Sequence, residues 1–141
     1  MFNVDFDTMN IKMHRGDTGS FKLHATKKSG DAWSQDDRML FTIRNGQGEI
    51  VIQRFYRLDD QWDLGDGRVL IEFHNDDTDQ WENGTYPVEA RFVIDPVWSG
   101  TAPTGRCENA LASGMPRMVE GAVVRTVIQS TLEISEIYGE V

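Results

Sequence analysis

The chain carries a single cysteine, Cys107, in 141 residues. No internal disulfide can form, so a disulfide-stapled scaffold is excluded and the fold must rest on its own core. Basic residues are also scarce: 14 Lys and Arg face 23 Asp and Glu, for a net charge of −9. Nucleic acids and anionic membrane surfaces are both gripped through Lys and Arg, so neither is expected as a partner. No apolar run approaches the roughly 20 residues needed to cross a bilayer. The opening MFNVDFDTMN has neither the basic start nor the apolar stretch of a secretory signal, and synthesis and folding in a cytoplasm are expected. Reactive patterns are missing as well. His14, His24 and His74 are scattered over different predicted strands, beside no HExxH, Ser/His/Asp or Cys/His arrangement. The residues alone reveal no chemistry: no catalytic residue, metal ligand or cofactor-binding residue is assigned from them. Cys107, with no histidine near it in sequence, reads as a small filler residue and not a nucleophile.

What the chain does have is alternation. Val69, Ile71 and Phe73 alternate with Leu70, Glu72 and His74, and Tyr86, Val88, Ala90, Phe92 and Ile94 alternate with Pro87, Glu89, Arg91 and Val93. Successive strand side chains point to opposite faces, so each run presents one apolar face that another layer must cover. Between the two runs lies an acidic corner ending in Asn83-Gly84. The same period recurs in Ile11 and Met13, in Phe21, Leu23 and Ala25, and in Met39, Phe41 and Ile43. It returns in a last strand from Ala122 to Ile134, with Val124, Thr126, Ile128, Ser130, Leu132 and Ile134 on one face. A further strand, Glu49 to Leu58, loses its alternation at Arg54-Phe55-Tyr56, which predicts a bulge or bend there. About seven strands, short turns and no sustained helical period predict an all-β fold, two sheets packed face to face in a single domain over residues 10–141.

Two stretches stand outside this pattern. Residues 1–9 form an N-terminal arm in which Phe2, Val4 and Phe6 alternate with Asn3, Asp5 and Asp7, suited to pairing with a sheet edge on this chain or another. Residues 96–121 hold three of the four prolines and read as one long loop. Apolar residues of these stretches lie outside the predicted core strands. Phe2, Val4, Phe6, Val97, Trp98, Leu111 and Met115 are therefore the candidate contact residues.

Other features have plainer readings. Arg15-Gly16-Asp17 spells a cell-adhesion tripeptide, but a glycine-centred turn between two strands explains it. Asp59, Asp60, Asp63 and Asp66, and later Asp76, Asp77 and Asp79, lack the spacing of a calcium loop and read as solvated turn carboxylates. Trp33, Trp62, Trp81 and Trp98 all fall in loops or corners. Each alone suits the edge of a sandwich core, with Trp33 laid over it. Several lined up would stack on sugar rings, so a carbohydrate-binding module for a host cell wall is the alternative function.

The arrangement resembles the immunoglobulin-like N-terminal domains of upper baseplate and related tail proteins of bacteriophages and prophages of Gram-positive bacteria. The matching pieces are Asn10 to Asp17 with Phe21-Lys22-Leu23, Leu40 to Arg44, and Ile71-Glu72-Phe73 followed by Asp77-Thr78 and Gly84-Thr85-Tyr86. Ser130 to Ile134 matches the final apolar strand. The resemblance implies an immunoglobulin-like antiparallel β-sandwich and a non-enzymatic structural protein without a cofactor. It implies a place in the virion tail, docking onto other tail or baseplate subunits within a symmetric homo-oligomer. The 96–121 stretch is longer than the hairpin usual in that family.

Overall fold

The structure, a computed structural model, describes residues 2–27, 29–59, 64–94, 96–98, 107–110, 118–119 and 123–135, with 97, 118–119 and 123–130 traced through their backbone alone. In chain order the elements are β1 (Asn3–Asp5), β2 (Asn10–His14), β3 (Gly19–His24), β4 (Arg38–Arg44), β5 (Ile50–Arg57), β6 (Arg68–Phe73), α1 (Asn75–Thr78), β7 (Gly84–Ile94), β8 (Val97–Trp98), β9 (Cys107–Asn109), β10 (Met118–Val119) and β11 (Val123–Ser135). One layer is a seven-stranded sheet in the order β1-β2-β11-β7-β4-β5-β9, and the other is the pair β3-β6. Its neighbours run antiparallel except β2 and β11, which pair in parallel from Ile11 with Leu132 to His14 with Ser135. The expectation of purely antiparallel sheets is corrected at that one pair.

In the immunoglobulin convention β3 and β6 are B and E, and β4, β5, β7 and β11 are C, C′, F and G. The order G-F-C-C′ in one layer against B-E in the other is the connectivity of the predicted immunoglobulin-like sandwich. The alternating apolar sets meet between the layers. Ile11, Met13, Met39, Phe41, Ile43, Val88, Ala90, Phe92, Leu132 and Ile134 of the large sheet are buried against Phe21, Leu23, Val69, Ile71 and Phe73 of the small one. Tyr86 opens β7, and its hydroxyl donates to the Glu82 carbonyl at 2.7 Å. Immunoglobulin-type sandwiches use this tie between strand and preceding corner at the same place. Two residues on, where antibody domains carry a disulfide cysteine, Val88 is buried and hydrophobic packing takes the place of the cross-link.

A pair of strands is too narrow to cover seven, and the connectors complete the lid. Trp33 lies over the sandwich edge, stacked on Phe92 at 5.7 Å and donating from Nε1 to the Ala25 carbonyl at 2.9 Å. Lys27 sits 5.4 Å from the Trp33 ring centre and pairs with the fully buried Asp37 at 3.0 Å. Gly67, at φ 73°, leaves room for the Ala25 carbonyl, which an added Cβ would meet.

Four local expectations change. The register of β5 shifts not at Arg54-Phe55-Tyr56 but between Ile43 and Arg44, opposite Ile50 to Ile52. Alternation fails at Arg54-Phe55-Tyr56 because β5 is covered on both faces. Tyr56 enters the main core, while Phe55 joins a second cluster with Leu40 and Ala110 on the back of the sheet. The acidic corner holds a helical turn, α1, in which the Asp77 carboxylate accepts from the His74 N–H at 2.8 Å. The register of β11 shifts between Thr126 and Ile128, so the alternation expected from Val124 to Ile134 is not continuous. Finally, the 96–121 stretch is not bare loop. Its described parts make β8 and β10, paired with each other, and β9, paired with β5.

Candidate interaction surface

The N-terminal arm folds back on its own chain. β1 pairs with β2 through Asn3 with Lys12, Val4 with Ile11 and Asp5 with Asn10. Residues 6–9 make the turn, closed by the Met9 N–H on the Asp5 carbonyl at 2.6 Å. Met9 adopts φ 60°, a left-handed conformation unusual outside Gly, Asn and Asp. Val4 packs on the core margin. Phe2 lies ahead of β1, partly buried, with its ring tilted on Phe73 at 5.8 Å. The floor of its seat is Gly19, where the backbone itself meets the ring and an added Cβ would collide with it. Phe6, at the turn, is 65% exposed and is the only large hydrophobic so exposed among the described residues. The arm thus separates its three apolar residues, with Phe2 and Val4 docked and Phe6 displayed.

On the back of the large sheet, Trp98 packs edge-on against Phe55 at 6.1 Å. Its Nε1 donates to the Asp36 carbonyl at 3.3 Å, tying β8 to the loop before β4. Val97 lies in β8, paired through the backbone with Val119. Leu111 and Met115 lie outside the described residues. The structure therefore docks Phe2 and Val4 against the core at one end of the sheet, displays Phe6 at the turn beside them, and places Trp98 on the back of the sheet.

The three described tryptophans each pack on a different partner. Trp33 stacks on Phe92 and Trp81 on Tyr86 at 4.8 Å, Trp98 covers Phe55, and Trp62 lies outside the described residues. Arg15-Gly16-Asp17 is a turn consumed by its own neighbours. The Arg15 guanidinium donates to Asn83 Oδ1 at 2.7 Å, the Gly16 N–H to Thr78 Oγ1 at 2.9 Å, and Asp17 Oδ2 accepts from the His14 N–H at 2.8 Å. Among the described residues no group of three His, Cys, Asp or Glu side chains is placed to hold a metal ion.

One charged cluster was illegible in the sequence. Arg54 reaches from β5 to the small layer, donating to the Glu72 carbonyl at 2.8 Å and pairing with Asp77 at 2.9 Å. Its guanidinium also lies 6.0 Å from the Phe73 ring centre. Beside it, burial drives the Tyr56 hydroxyl well above its ordinary pKa, and the adjacent Cys107 thiol acts in the same direction. Cys107 is exposed as a residue, and desolvation raises the pKa of its thiol. Arg54 thus ties β5 to the small layer near the β9 edge of the large sheet. Gly19 was the other omission. An isolated glycine opening a strand signals close approach of another group, but nothing in sequence names Phe2 as that group.

No family model, no curated protein and no solved structure matches this chain.

Proposed function

We propose that this chain is a non-enzymatic structural module of a phage or prophage tail, a rigid β-sandwich that works by protein–protein contact with other tail or baseplate subunits. The observation that carries the reading is Phe6. A two-strand hairpin holds it out from the body at 65% exposure, while the other large apolar side chains of the described residues are buried or partly buried. Aromatic side chains presented on a rigid support are what assembly contacts use, because little conformational entropy is lost when they are buried. The resemblance of its strand motifs to those of tail proteins supports the tail as the place of assembly. The net charge of −9 favours a basic or polar partner surface over an acidic one.

Mass spectrometry of tailed particles induced from the bacterium that encodes the chain tests this reading. The chain is expected in stoichiometric amounts, with antibody label at the tail tip in electron micrographs. Phe6→Ser is expected to leave the circular dichroism spectrum unchanged and to lower incorporation into particles. Particles that lack the chain overturn the reading.

A further inference from the structure

We propose that the seat formed by Gly19, Phe73 and the β2 edge is a docking site for the N-terminal arm of a second copy of this chain, so that β1 is exchanged between copies. The seat is cut for an aromatic-led strand. Gly19 offers bare backbone to the Phe2 ring, Phe73 packs on it, and β2 supplies a pairing edge for Asn3 to Asp5. A second copy's arm carries the same residues, so exchange keeps every docking contact and adds new ones at the hinge.

Three features of the arm favour exchange. First, β1 has only three residues and pairs with β2 alone at the end of the sheet, so its release disturbs no other strand. Second, closing the arm on its own chain requires the tight turn at residues 6–9, with Met9 at φ 60°. Extending that turn relieves a left-handed conformation that is unfavourable for a non-glycine residue. Third, extension joins β1 to β2 as one strand, and two such strands from two copies can run antiparallel past each other. The residues that then meet near the two-fold axis are those of the turn. Phe6 is the large apolar residue there, and the closed hairpin leaves it uncovered. One occupant thus accounts for both the filled seat and the displayed phenylalanine.

The inference rests on the assembly reading for its purpose, but not for its geometry. The test uses cross-strand cysteines in the full chain with Cys107→Ser. Asn3 and Lys12 are both exposed and are register partners, at the separation a disulfide spans. One chain carries Asn3→Cys and the other Lys12→Cys. The two are mixed at high concentration, warmed to allow exchange, and oxidised. Only exchange puts the two cysteines opposite each other in different molecules. A mixed disulfide dimer is expected on the order of tenfold over either like-with-like dimer, because docking raises the effective concentration of that pair alone. Gly19→Ala, which closes the seat, is expected to remove the excess. As a second measurement, deleting Thr8 and Met9 makes the tight turn impossible and is expected to give a dimer by light scattering that Phe2→Ala returns to monomer. Like-with-like dimers in statistical proportion, together with a monomeric deletion variant, overturn the exchange. If the chain is nonetheless found in particles, the assembly reading survives. If exchange is found and the particles lack the chain, only the tail assignment falls.

Discussion

Replacing Gly19 by alanine tests the packing of the arm most sharply, because the sign of its effect depends on a residue seventeen positions away. Gly19 lies outside the left-handed region, so its backbone accepts alanine. A Cβ there, however, would collide with Phe2 Cγ, and the ring must leave. Full burial of a phenylalanine is worth roughly 1.5–3 kcal/mol, and Phe2 is only partly buried, so about 1 kcal/mol is lost with the seat. Losing the tilted pair with Phe73 adds about 0.5 kcal/mol. Against this, alanine restricts the unfolded chain and returns about 0.4–1 kcal/mol. Gly19→Ala should therefore destabilise the otherwise unchanged protein by roughly 0.5–1 kcal/mol, and should stabilise the Phe2→Ala protein by about 0.4–1 kcal/mol. The arm is terminal and can release locally, so the loss cannot exceed the free energy of docking it. Urea titrations of the four proteins of the cycle, at equal m-values, give the coupling directly. An effect of Gly19→Ala that is the same in both backgrounds would refute the reasoning, since Phe2 would then not occupy the seat.

Three further outcomes follow from the same structure. Arg54→Met keeps the aliphatic stem but leaves the Glu72 carbonyl and the Asp77 carboxylate without their shared cation, and should cost roughly 2–4 kcal/mol in urea titrations; a cost near zero would show the two layers are not pinned there. Tyr86→Phe removes the hydroxyl donated to Glu82 and should cost about 1 kcal/mol, seen as a fall of roughly 3–5 °C in Tm. Tyr56 keeps its proton in the fold well beyond its unfolded value of 10. Its contribution to stability is thus complete below that value and is lost as pH rises from there through the folded value. Tyrosinate absorbance should show one of the three tyrosines ionising only as the protein unfolds, and Tyr56→Phe should flatten the alkaline fall in Tm.

Among the described residues, alternation at period two was enough to place β2, β3, β4, β6 and β7 and the core residues they carry, and the existence of β11. Ile71, Phe73, Val88 and Ala90 were assigned inward, and they are buried. Where the rule failed, a second requirement had been added to the first. At Phe55 and Tyr56 both faces of β5 are covered, so adjacent residues are apolar and the period vanishes. Between Asn75 and Thr78 the signal was a run of carboxylates, which marks a turn but does not specify a helical one.

The chain's own composition settled the absence of a disulfide, the acidic charge and the commitment to a layered β fold, because these depend on residue type and on neighbours one or two positions away. The seat of Phe2 on Gly19 and Phe73, the bridge from Arg54 to Asp77, and the cover of Trp98 over Phe55 were decided only when strands distant in sequence came side by side. Those contacts join residues 17 to 71 positions apart, and local alternation says which face a side chain takes but nothing about which side chain it meets.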